Sequence, residues 1–217
     1  MKDKQLQKRL LMCIIGVMIS GISVGFFKRA AFGVDPFQTF MSGLDALIPI
    51  EFGTLYVIAN VCLLLFSLFA DRHYIGLATM INLFLLGYMA QYSLEVLLLL
   101  FPSVSLIGQL VFLVVGIILS CFAASLYFVA DLGVSTYDAV ALIITETWKI
   151  GKFKYVRIIT DLTCVIIGTI LYYIATKSLN GITTIVGIGT IITAFFMGPL
   201  IDVFSEKIAR PLLYGKH

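Results

Sequence analysis

Four stretches, Leu10–Phe27, Leu55–Ala70, Ile75–Leu94 and Ser105–Ala130, each run for 16 residues or more with few polar side chains. About 20 apolar residues in helical form cross the ~30 Å hydrocarbon layer of a bilayer, so lipid is the solvent that such runs require. The rest of the 217 residues agrees: 60% are apolar and only 12% charged, against about 45–50% and about 25% in a soluble domain. A soluble core, a disordered chain and a collagen are thereby excluded. So is a nucleic-acid-binding module, because 15 basic against 12 acidic residues leave only +3 and form no basic stripe. The expected fold is all-α, a polytopic transmembrane helical bundle in one membrane domain over 1–217.

Six spans are expected at 9–28, 53–70, 74–99, 104–130, 154–176 and 181–205, separated by Asp71-Arg72-His73, Phe101-Pro102-Ser103 and Lys177-Ser178-Leu179-Asn180. The opening MKDKQLQKRL resembles the charged region of a signal peptide. The 18-residue run behind it has no small-residue cleavage site, so it is expected to remain as the first span. Two shorter apolar pieces, 36–48 and 136–148, reach only about 20 Å and are expected as re-entrant or interfacial half-helices. With six spans, both termini and most Lys and Arg fall on one side, which the positive-inside rule makes cytoplasmic; Lys28, Arg29 and Lys177 fall on the other.

The chain also repeats itself. A shift of 100 residues lays 16–40 on 116–140 without a gap, with Gly16/Gly116, Ser20/Ser120, Ala30/Ala130, Gly33/Gly133 and Val34/Val134 identical. One added residue places Asn60 on Asp161; a further insertion places Thr79–Asn82 on Thr190–Thr193, Gly87 on Gly198 and Gln91 on Asp202. The halves are 8–100 and 104–210, each reading long helix, half-helix, helix, helix. A half with three spans sets its copy upside down in the membrane, so an inverted repeat is expected, with the half-helix N-termini converging near the midplane.

Each half-helix start carries defined chemistry. Gly33-Val34-Asp35-Pro36-Phe37-Gln38 reads as a turn, an N-cap Asp, Pro at the first helical position and Gln at the third. Gly133-Val134-Ser135-Thr136-Tyr137-Asp138 repeats it with a Ser cap. Both read as capping boxes, and free N–H groups with the positive dipole end suit a polar ligand, with Lys28 and Arg29 near one entrance. Charged groups at mid-bilayer need partners or roles. Arg157 and Asp161, at i and i+4, share a helix face and are expected to pair, with Asn60 as the polar counterpart of Asp161. The candidate substrate-binding residues are therefore Asp35, Gln38, Asn60, Ser135, Thr136, Asp138, Arg157 and Asp161. Gly16-xxx-Ser20, Gly21-xxx-Gly25 and Gly116-xxx-Ser120 read as packing seams, Cys13, Cys62, Cys121 and Cys164 as small core residues, and tyrosines including Tyr56 and Tyr127 as interface anchors.

The stretches ADLGVSTYDA (130–139), KYVRIITDL (154–162) and GIGTIITAFFMGPLIDVF (187–204) resemble the YczE/YyaS/YitT family of bacterial integral membrane proteins, nearest its YczE-like branch, over nearly the whole chain. The resemblance implies a bacterial plasma membrane location and supplies neither a substrate nor site residues. The function expected from the residues is secondary transport of a small solute, with a coupling proton or cation. The alternative is a non-enzymatic accessory or scaffolding protein that assists another complex. No HExxH, no P-loop and no Ser or Cys with a reachable His occurs, so neither enzyme activity nor a cofactor is expected. The expected partners are the lipid bilayer, the solute and a second copy in a homodimer, with no nucleic acid.

Overall fold

In a computed structural model, which describes Lys2–Gly215, every regular element is a helix. Six helices are long and apolar enough to cross a membrane: α1 (Lys2–Ala30), α3 (Phe52–Ala70), α4 (Leu77–Leu100), α5 (Leu106–Ala130), α7 (Phe153–Thr176) and α8 (Ile188–Phe204), the last continued by α9 (Arg210–Tyr214). Two short helices lie between them, α2 (Pro36–Leu47) and α6 (Thr136–Leu142). At 1.5 Å per residue the 12 residues of α2 reach about 18 Å, too short to span.

Two boundaries depart from the sequence reading. The second half-helix is α-helical only to Leu142 and continues as a π-helix over Ile143–Thr147. The last span opens with a 3₁₀ turn at Ile182–Thr184, starts its α-helix at Ile188 and passes through a second π-helix, Ser205–Ala209.

α1 is the central helix and packs along both α4 and α5. Small residues permit this: a Cβ on Gly16 would stand 3.0 Å from the Ala123 carbonyl oxygen, and one on Gly25 would meet Ser93. Met12, Cys13, Val17 and Val24 of α1 join Met41, Leu86, Leu126 and Ala130 in one buried cluster. The outside is as apolar as the inside, with Phe69, Leu99 and Ile107 exposed by 89%, 82% and 75%. Such a surface suits lipid as its solvent. Cys62 belongs to it, and is not the core residue expected; Cys13 and Cys121 are buried.

The same turn leads into both short helices. Ala31 and Asp131 are left-handed, at φ 58° and 51°, and Gly33 and Gly133 follow at 93° and 109°. Glycine meets no Cβ clash there, which explains its presence at both positions.

Candidate functional site

Each turn is held by the start of a long helix from the other half of the chain. Val34 N–H donates to Ile185 O at 3.3 Å and Gly189 N–H to Phe32 O at 2.7 Å. In the other half, Val134 N–H donates to Tyr74 O at 3.2 Å and Ala78 N–H to Leu132 O at 3.0 Å. Thr79 Oγ1 donates to Val134 O at 2.6 Å, and Thr39 Oγ1 to Ile185 O at 2.8 Å. These bonds satisfy backbone groups that lipid would leave unpaired and fix where α2 and α6 begin.

The N-caps form as the sequence implies: Asp35 Oδ1 accepts from Gln38 N–H at 3.1 Å and Ser135 Oγ from Asp138 N–H at 3.0 Å. Neither is a full capping box, because the third residue of each helix does not return its side chain to the cap N–H. Asp138 accepts from the Ser135 hydroxyl at 2.7 Å and pairs with Arg157, whereas Gln38 Oε1 is buried with no partner among the described residues. The reciprocal bond, side chain of the third residue back to the cap N–H, appears instead at the long helices, where Thr79 and Thr190 accept from Gly76 and Gly187 N–H at 3.1 and 3.2 Å.

Arg157 is the hub of the polar network. Its Nη1 lies 2.5 Å from Asp138 Oδ1 and its Nε 3.3 Å from Asp161 Oδ1, so the expected i,i+4 pair is present and a shorter bond from α6 joins it. The guanidinium sits 4.4 Å over the Tyr137 ring, and the Tyr137 hydroxyl donates to Asp161 at 2.6 Å. Asn60, the aligned counterpart of Asp161, bonds within α3 and to α6. Its carboxamide oxygen accepts from the Thr136 hydroxyl and its Nδ2 donates to Tyr56 O at 2.8 Å, so it holds the first turn of α6 on α3. The Phe37 and Tyr137 rings stack between the two short helices, centroids 4.8 Å apart.

These side chains surround a cavity of about 440 Å³. Seven of the eight candidate residues line it: Asp35, Gln38, Asn60, Ser135, Asp138, Arg157 and Asp161. Thr136 is buried behind, bonded to Asn60. Three carboxylates and one guanidinium leave the lining with two formal negative charges. Lys28 and Arg29 do not line it: Lys28 Nζ rests 3.3 Å over the Phe52 ring and Arg29 Nε donates to Phe101 O at 3.0 Å. Among the lining residues that sequence reasoning placed elsewhere, Tyr56 and Tyr127 are 3% and 7% exposed and so are not interface anchors. Ser20 and Ser120, read as seam residues, also line it; their identity at aligned positions was the available signal. A second cavity of about 450 Å³, bordered by Asp131, Asp202, Glu206 and Arg210, adjoins the first at Phe128 and Ile201, which line both.

The chain belongs to the DUF6198 family, described as a family of unknown function, whose model matches residues 7–206. It is 22% identical over 204 residues to an uncharacterized protein of Haemophilus influenzae, covering 94% of this chain and 86% of the relative. No solved structure matches it.

Proposed function

We propose that this DUF6198 protein is a non-enzymatic secondary transporter of a small solute, working by alternating access in a bacterial plasma membrane with both termini cytoplasmic. The observation that carries the reading is the single cavity at the starts of two half-helices, into which both halves of the chain send polar side chains. Irregular backbone at membrane depth is tolerated where it lines such a cavity. The backbone bonds of residues 32–34 to 185–189, and of 132–134 to 74–78, are related by exchanging the halves, as two repeats about a pseudo-two-fold axis require. Three spans in each half make those repeats inverted. The resemblance to YczE/YyaS/YitT proteins agrees with the location.

A packing difference between the halves supports the reading. A Cβ on Gly87 would stand 2.6 Å from Tyr56 Cβ, whereas one on the aligned Gly198 would meet nothing within 4 Å. On the looser side, Ile201 of α8 and Phe128 of α5 border both cavities, which suits an access route there. In the opposite state the second half takes the closed packing of the first. Two excess carboxylates leave room for a coupling proton or cation.

Protein reconstituted in liposomes is expected to accumulate its solute under an ion gradient. Asp138→Asn and Asp161→Asn are each expected to abolish uptake with the melting temperature held within a few degrees. Uptake untouched by either substitution removes this site from the mechanism. If no solute in a broad thermal-shift screen stabilises the protein, the accessory-protein reading takes its place.

A further inference from the structure

The cavity's charges are unevenly satisfied. Asp138 and Asp161 share Arg157 and accept in addition from the Ser135 and Tyr137 hydroxyls, at 2.7 and 2.6 Å. Asp35 is the remaining carboxylate in the lining, and among the described residues it enters no ion pair; its Oδ1 accepts the capping N–H of Gln38 at 3.1 Å. Two further residues that line the same cavity, Gln38 and Tyr127, 3% and 7% exposed, each carry a buried polar atom without a partner among the described residues, Gln38 Oε1 and the Tyr127 hydroxyl. A half-buried carboxylate beside a carboxamide oxygen and a phenol oxygen that lack partners suits a ligand with hydrogen-bond donors on a positive charge.

We infer that the cavity binds a small organic cation with N–H donors, a primary ammonium or guanidinium group, using Asp35 as counter-ion and Gln38 Oε1 and the Tyr127 hydroxyl as neutral partners. The inference rests on the transporter reading for its purpose and deepens it by naming the substrate class. An anion would add to a lining already two charges negative, and a neutral solute would leave Asp35 uncompensated. A bare metal ion needs a converging ligand set, and among the described residues no group of three or more His, Cys, Asp or Glu is placed to hold one. About 440 Å³, walled partly by Val24, Phe37, Tyr56 and Leu86, has space and apolar surface for the hydrocarbon part of such a molecule.

The test is thermal unfolding of the purified full chain in detergent, titrated with n-butylammonium and methylguanidinium against tetramethylammonium and butyrate. Saturable stabilisation by the first two is expected, with tetramethylammonium, which has the charge but no N–H, about tenfold weaker or worse, and butyrate without effect. Asp35→Asn keeps an N-cap side chain, so it is expected to fold and to weaken n-butylammonium by about tenfold or more. Tyr127→Phe deletes one unpartnered hydroxyl and leaves the ion network intact; a loss of about three- to tenfold is expected there. Equal stabilisation by n-butylammonium and butyrate overturns the inference. So does an unchanged apparent Kd in Asp35→Asn or, should that variant not fold, in Tyr127→Phe. Cation binding without liposome uptake upholds this site and removes the transporter reading. Uptake of another solute with no cation binding does the reverse.

Discussion

The two half-helices begin alike and are finished differently. α2 stays α-helical for 12 residues and lies along α7, where Gly43 and Gly168 bring the backbones so close that a Cβ on Gly43 would stand 2.8 Å from Gly168 Cα. α6 keeps α-geometry for seven residues, turns into a π-helix and rests on α3 through Asn60 and Thr136. The third residue differs too, with Gln38 left unpartnered in one and Asp138 locked on Arg157 in the other. The long helices repeat the contrast: α4 lies against both α1 and α3, whereas α8 packs mainly on α5 and has no comparable seam with α7. One short helix is thus zipped to α7 by glycines and the other latched to it by charge, and substitutions around the two should fail in different ways.

The largest effect is expected where the zipper is tightest. Gly168→Leu forces a side chain onto the Thr39 carbonyl and the Phe40 backbone, which cannot rotate away. Overpacking against backbone costs about 3 kcal/mol or more, enough to remove most of the folded protein. Size-exclusion recovery after detergent extraction checks it; a normal yield of monodisperse protein would show that α2 is free to shift. Arg157→Leu breaks the latch and ranks next. It strands two carboxylates whose side chains are 23% and 13% exposed, an expected loss of about 2–4 kcal/mol, moderated because the guanidinium is itself 32% exposed. Asp161→Asn should cost clearly less, since the Tyr137 hydroxyl can still donate to the new side chain. Equal losses in thermal unfolding would show that Arg157 does not bridge the two acids.

The tight packing of α4 and the looser packing of α8 are compared directly at Gly87 and Gly198. Gly87→Ala drives a methyl into Tyr56, with an expected cost of about 1–3 kcal/mol, while Gly198→Ala should stay within about 0.5 kcal/mol. Similar melting temperatures for the two variants would make the asymmetry unreal. Most helix limits and both N-cap side chains are readable from the sequence, because hydropathy, Pro36 and the capping residues act locally. The i,i+4 pair of Arg157 and Asp161 is readable for the same reason. The shorter bond to Asp138, 19 residues back, is not, because it depends on how α6 is aimed at α7. Tyr56 and Tyr127 look like interface anchors by their place near span ends; they line the cavity because α3 and α5 turn those faces inward, which no span boundary reveals. The π-helix after Leu142 leaves no composition mark at all.

The smallest expected effect concerns how α6 and its π-helical extension are tied off. Thr147, at the end of its π-helix, donates to Asp71 Oδ2 at 2.6 Å, and His73 N–H donates to Asp71 Oδ1 at 2.9 Å. Phe66 meets Trp148 edge-on at 5.9 Å beside this bond. The hydroxyl first and the backbone N–H second hold the Asp71 carboxyl below its ordinary range. A carboxylate whose folded-state pKa is depressed adds stability above its unfolded pKa, and that stability is lost as pH falls through the folded one. Asp71→Asn imitates the protonated form. Its melting temperature should therefore lie slightly below that of the unsubstituted protein near neutral pH, with the gap closing below about pH 4. Asp71 is solvated, so the gap should be small and should shrink further at high salt. A gap that persists unchanged into acid would mean that the charge of Asp71 has no part in tying α6 to α3, and the latch would then consist of Asn60, Thr136 and the Phe66–Trp148 contact.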